Sequence, residues 1–295
     1  MEGLVSRLRL AQQIKTIDRA QSEASKVPFL DNKWMDGPPS CSEADFKTPR
    51  LRQCAFDIAT INWKSSACID GGLDGYLWKV WFGEDGPYVL KVFWDAEPPD
   101  FRHYYAVQRE CQNSALLQMI EAAVHQAAIE STPILVNGNP KTKDDAMANV
   151  CAFSHEGRQR QSSAGSSGVT AISSIPRMRK CYGWLRFSGQ IFLKMPARLR
   201  APTLHIDKVK RTMSADREYI AIVYEYVEEV ENDPAVVEEV AAFFWLAGFS
   251  HTISPAARNW KSGVLVDLSD IVHPGGYGWH PKLYGPRKAN RLLIP

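Results

Sequence analysis

No two of the six cysteines (Cys41, Cys54, Cys68, Cys111, Cys151 and Cys181) stand in a CxxC pair. The seven histidines supply neither an HExxH nor an H-x3-H spacing. Neither a zinc site nor a disulfide framework is expected, and the thiols read as the reduced thiols of an intracellular protein. A GxSxG nucleophile elbow is missing too. No apolar run is long enough to cross a bilayer; the most apolar stretch, AAFFWLAGF at 241–249, is far too short. The N-terminal MEGLVSRLRLAQQIK lacks the continuous apolar core of a signal peptide. A cytoplasmic or nuclear location away from membranes is expected. An excess of one charge is lacking: 35 Lys and Arg against 33 Asp and Glu leave a formal net charge of +2 and a pI near 8.2, so direct nucleic-acid binding is not indicated.

What is present suits a globular fold. Hydrophobic residues make up 45 % of 295, enough to core one large domain or two small lobes. Residues 1–25 carry Leu4, Leu8, Leu10, Ile14 and Ile17 at roughly helical spacing, as a surface helix or a partner-binding helix would. Residues 32–50 are rich in turn formers and read as a linker. Strand signals follow in IATINW (59–64), GYLWKVWF (75–82) and PYVLKVFW (87–94), the last two joined by a Gly-Glu-Asp-Gly hairpin turn. A long helix is expected over about 102–129. Residues 137–175 contain few large apolar side chains and a Ser/Gly cluster, which reads as a flexible insertion. Strand signals return at 179–194 and 219–227, a helix starts at Asn232-Asp233-Pro234, and GVLVDL (263–268) is a last strand-like run. The order gives an α+β class with a mostly antiparallel sheet.

One charge stands out. Lys91 lies within the apolar run Val89, Leu90, Val92, Phe93, where an ammonium group needs a partner. Upstream, Gly72 and Gly75 open a hairpin, with Leu77 two residues after the second glycine. Downstream, Glu110 falls nineteen residues after Lys91, inside the expected long helix. A glycine-rich turn, a strand lysine and a helix glutamate in that order form the phosphate-holding half of a protein-kinase fold. The alternative is a strand lysine reaching to water and an ordinary surface glutamate. YIAIVYEYVEE (219–229) then reads as a fifth strand entering an acidic hinge, where backbone groups near Glu225 could bind an adenine ring.

The catalytic half does not follow. A kinase needs H-R-D-L-x-x-x-N, whose aspartate takes the substrate proton and whose asparagine binds metal. Here His251 is followed by Thr252 and Ile253, and no carboxylate appears before Asp267. Asn259 and Asp270 are the candidate metal ligands, and Asp267 is the first candidate for an unexpected base. Only twenty-five residues follow Asp270, too few for a full kinase C-lobe.

The blocks GGLDGYLWKV, VLKVFW, RKCYGWLRF, IAIVYEYVEE, FFWLAGF, RNWKSGVLVDLSDI and WHPKLYGPRKA cover about residues 55–290. With them the chain resembles fungal kinase-like proteins of the Fta-two type, kinetochore subunits of the Sim-four centromere complex. The resemblance implies a protein-kinase-like fold: an antiparallel-sheet N-lobe with a helix of the αC type, and a truncated helical C-lobe. It also implies kinetochore subunits as protein partners in the nucleus. In that frame residues 1–50 are a helix and linker, 51–231 the N-lobe, and 232–295 a reduced C-lobe with an aromatic and basic tail. Lys91 and Glu110 match the N-lobe pair and Asn259-Trp260 the N-W block, while SPAAR departs from the acidic segment expected before it. The expected function is a pseudokinase-like protein-binding scaffold rather than an enzyme. The alternative is an atypical ATP-dependent kinase using ATP and magnesium. Two further runs read first as structure: KVKR (208–211) as a solvated loop, with contact to phosphate or an acidic partner as the alternative, and the tail as a cover for the C-lobe, with a partner patch as the alternative.

Overall fold

The computed structural model describes residues 2–99, 103–161, 168–206 and 208–294. Helix α1 runs from Glu2 to Ser25, and the side chains of Leu4, Leu8, Leu10 and Ile14 lie outside the described residues. The expected linker holds strand β1 (Leu30–Trp34) and the short helix α2 (Glu43–Lys47), capped by Ser42, before β2 (Leu51–Gln53). The stretch 59–64, expected as a strand, is instead a single 3-10 turn, Ile58–Thr60, with one bridge from Ile61 to Phe82. Asp57 explains this, since its side chain accepts the Ala59 N–H and caps the turn.

Strands β3 (Ala67–Gly71), β4 (Gly75–Phe82) and β5 (Asp85–Phe93) form a continuous antiparallel meander. Helix α3 (Ala106–Ile129) follows. Strand β6 (Ile134–Asn137), helices α4 (Lys143–Ala152) and α5 (His155–Gln161) and strand β7 (Val169–Ile172) come next. Strand β8 (Cys181–Ser188) and a turn of helix α6 (Ile191–Lys194) precede the hairpin β9 (Leu204–Ile206) and β10 (Val209–Arg211), which leads to β11 (Glu218–Glu225). The last part contains helix α7 (Pro234–Leu246), β12 (Ser250–His251), β13 (Trp260–Lys261), β14 (Val264–Leu265), β15 (Ile271–Val272) and the one-turn helix α8 (Ala289–Leu292).

The main sheet has seven strands in the order β1-β2-β8-β11-β5-β4-β3. It is antiparallel except where β2 pairs with β1 and β8. The molecule is thus a mixed α+β protein. Alternation along β11 divides its two faces: Ile220, Ile222 and Tyr224 join the core under α3, while Tyr219, Ala221 and Val223 join an aromatic core on the other side, around Trp78. Strand β5 obeys the same rule, with Val89 and Phe93 facing α3 and Leu90 and Val92 facing away. Lys91 shares the period-two register of Val89 and Phe93. Its charge is therefore directed at α3.

Two further expectations are corrected by the structure. The segment 137–175 is largely ordered architecture: Thr142 and Asp145 form a reciprocal capping box on α4, and Ala146, Val150, Cys151 and Phe153 are buried. Only 162–167 of the Ser/Gly cluster lie outside the described residues. The KVKR run is no solvated loop either, because Arg211 is buried and donates to Asp95 at 2.9 Å. The C-terminal part has a single helix longer than a turn or so, and the tail packs over it: Trp279 Nε1 donates to the Gly248 carbonyl at 3.0 Å, and Leu292 is buried. Among the described residues no helix is long and apolar enough to cross a membrane. All six cysteines are free.

Candidate functional site

Helix α3 is the hub. A surface helix would bury one stripe, but α3 buries both apolar and polar residues through its first three turns. Each buried polar side chain there has a fixed task. Gln108 donates to the carbonyls of Ala24 and Val27 at 2.9 and 2.8 Å, tying down α1. Asn113 donates to the carbonyls of Leu268 and Ile271 at 2.9 and 2.7 Å, and Gln112 lies 3.2 Å from His273 Nε2. Arg109 donates to the carbonyls of Ser269 and Tyr277 at 3.2 and 3.1 Å. The helix therefore holds the sheet and the C-terminal segments in one frame. Unpaired, each of these buried groups would cost about 1–3 kcal/mol.

Within that frame the sheet lysine finds its partner. Lys91 Nζ bonds Glu110 Oε1 directly, and it also reaches Asp267 Oδ1 at 3.0 Å. Glu110 is completely buried, and its other oxygen accepts from Tyr224 OH at 3.0 Å. Burial opposes the Lys91 charge, but Asp267, Glu110 and Asp74 together outweigh it and hold the ammonium above the ordinary lysine range. Asp267 is likewise opposed by burial, yet Lys91 and the hydroxyl of Ser269 keep its carboxyl below the usual range. The expected pair is in fact a triad, and Asp267 is the member that sequence spacing did not supply.

Asp267 and Asn259 reach the cleft through a tight hairpin. Strands β13 and β14 pair across Ser262 and Gly263, whose φ values are both positive (52° and 75°), as a two-residue turn requires. Val266 N then donates to the Asn259 carbonyl at 2.8 Å and closes the excursion. Asn259 Nδ2 consequently donates to Asp270 Oδ2 at 2.8 Å. Burial and the nearby Asp267 charge push the Asp270 carboxyl up to about 7. Asn259 and Asp270 thus come together as expected. Among the described residues, however, no group of three histidine, cysteine or acidic side chains is placed to hold a metal ion. A magnesium ion there would need donors from a bound ligand.

The glycine turn closes the other side. A Cβ at Gly75 would stand 2.3 Å from the Val92 carbonyl oxygen, so the close approach of β4 to β5 admits only glycine there; at Gly72 a Cβ would meet nothing. Asp74, between them, turns inward. Its carboxylate accepts from Tyr104 OH at 2.5 Å and lies 3.1 Å from His103 Nε2. Burial opposes its ionisation, but these bonds and the Lys91 charge hold it down at about 2. Tyr104 in turn lies under the Arg109 guanidinium at 3.5 Å. The turn is therefore latched to α3.

Between these walls lies a cleft of about 970 Å³ that includes Gly72, Gly75, Lys91, Arg109, Asn259, Asp267 and Asp270. Glu225 is not at its surface as expected: its carboxylate pairs with Arg177 at 2.5 Å and accepts the Lys180 N–H at 3.2 Å. The loop from Thr252 to Arg258 opens onto the cleft without a carboxylate, and Ile253 is 83 % exposed. His251 is buried away from solvent, and burial, aided by Arg287, lowers it to about 4, so it is neutral at pH 7. Lys91, Arg109 and Arg258 line the cleft together with Asp70, Asp74, Asp267 and Asp270, so both signs of charge face a ligand. Comparison of the chain with family models, with curated proteins and with solved structures finds no match.

Proposed function

We propose that this protein is a pseudokinase-like binding scaffold, in which a phosphate-facing lysine and its helix glutamate are kept as buried architecture beside a loop that has lost the proton acceptor. The observation that carries the reading is the engagement of the three inward-facing carboxylates of the cleft. Asp267 is held by Lys91 and Ser269, Asp270 by Asn259, Asp74 by Tyr104, and none comes from the loop of residues 252–258. Supporting it are the glycine meander, the lysine strand and the hinge strand lying side by side, with β5 between β4 and β11 and α3 behind them. A proton acceptor and a metal clamp are what phosphoryl transfer requires of such a cleft. The resemblance to Fta-two type kinetochore subunits supplies the partner class, other proteins of a centromere complex.

One observation favours the second reading, an atypical ATP-dependent kinase. Asp270, shifted to about 7, has the proton affinity of a general base at neutral pH. Asp267, the base expected from the sequence, is committed to Lys91 instead. The deciding experiment is transfer of labelled phosphate from ATP with magnesium, to the protein itself and to generic acceptors. The scaffold reading expects no transfer above that of an Asp270→Asn protein. Transfer by the natural protein that disappears in Asp270→Asn, with folding intact, would replace it with the kinase reading.

A further inference from the structure

Beside Lys91 the cleft narrows into a slot of about 320 Å³, bounded by Leu77, Val89 and Val266 and ending at the hinge residues Tyr226 and Val227. That is room for one flat bicyclic ring between aliphatic walls. The inner boundary is a cation. Arg179, from the segment before β8, is only 7 % exposed and lines this slot. Its Nε donates to the Glu225 carbonyl at 3.2 Å, its Nη1 donates to the Val266 carbonyl, and its guanidinium lies 4.3 Å over the Tyr224 ring. The two carbonyls and the ring fix the planar fork in one orientation. Nη2 has no acceptor among the described residues.

A guanidinium has only donors. A ring that brings an exocyclic amino group toward Arg179 would face N–H against N–H. A ring that brings an oxygen there completes the arginine's hydrogen bonds. We propose that Arg179 is a specificity-determining residue that turns the slot away from adenine and toward purines with a 6-keto oxygen. The inference rests on the second reading above, in which the cleft takes a nucleotide. It reverses the base preference that the hinge alone would give.

Inosine and adenosine triphosphates are suitable probes, since they differ at the ring edge in question and carry the same phosphates. Their affinities for the full chain would be measured by calorimetry with magnesium present. A charge-assisted hydrogen bond on one side and a donor clash on the other set the expected preference for the inosine nucleotide at about 10- to 100-fold. In Arg179→Met the preference should collapse to within about threefold, and Arg179→Lys, which keeps a cationic donor, should retain part of it. Equal or tighter binding of ATP by the natural protein would overturn the role of Arg179 while leaving the cleft a nucleotide site. Binding of neither nucleotide would overturn both. A preference unchanged in a folded Arg179→Met protein would also overturn it.

Discussion

The two ends of the cleft have opposite characters. At the floor, Lys91 is 3 % exposed, Glu110 is fully buried, and their charges are matched by Asp267 and by Tyr224. At the mouth, the loop from Thr252 to Arg258 carries no acid, and Ile253 projects into solvent. A charge set buried this deeply is maintained by its partners, because losing one member leaves the others stranded in low dielectric. The mouth has no such constraint. A substitution there leaves no charge stranded in low dielectric.

Substitutions can sharpen that contrast. The largest effect is expected at the floor: Lys91→Met should lower unfolding stability by about 3–5 kcal/mol in urea titration, because Glu110 is left buried and uncompensated and the half-buried Asp267 loses its cation. A loss under about 1 kcal/mol would put the two ends on the same footing. Phe153→Ala asks whether the segment 137–175 belongs to the framework. Phe153 is fully buried in the α3 core, so a loss of about 3 kcal/mol is expected, whereas a flexible insertion would show almost none.

Asp270 gives a pH signature between floor and mouth. Its carboxyl is raised from 3.8 to about 7 in the folded protein, so between about pH 4 and 7 the folded state holds a proton that the unfolded chain releases. Stability from this group is present below pH 4 and is lost as the pH rises through 7. Asp270→Asn removes the penalty and can still accept from Asn259. It should therefore be more stable than the natural protein by about 2–4 kcal/mol above pH 7, with no difference below pH 4. A pH-independent difference would contradict the assignment. The smallest effect is expected at the mouth, where Ile253→Asp should change thermal stability by less than about 0.5 kcal/mol.

The floor was the legible part of the sequence. Period-two alternation along residues 89–93 and 219–224 places Lys91 on the helix side, and a nineteen-residue separation brings Glu110 opposite. Both signals are local. The contact of Asp267 with Lys91 was not legible, because its position depends on the Ser262-Gly263 turn, which folds residues 260–265 back on themselves. VLVDLS does carry a usable signal, a strand that ends in an acid and a small residue. Composition misled at 137–175, where four modest side chains, Ala146, Val150, Cys151 and Phe153, suffice to seat α4 against the core. The expected strand at 59–64 lost to the capping turn of Asp57. Arg179 could not be found from sequence, since a basic residue before a strand ordinarily points to water.

The most direct test of the buried triad is a double-mutant cycle between Lys91 and Glu110, with stability measured by urea unfolding of Lys91→Met, Glu110→Gln and the double variant. With the ion pair buried as described, the double variant should recover stability relative to Lys91→Met alone, because a neutral amide replaces the stranded carboxylate. A coupling of about 2 kcal/mol or more is expected. Additive losses, with the double variant the least stable of the three, would show that Lys91 and Glu110 do not meet and would contradict the account at its base.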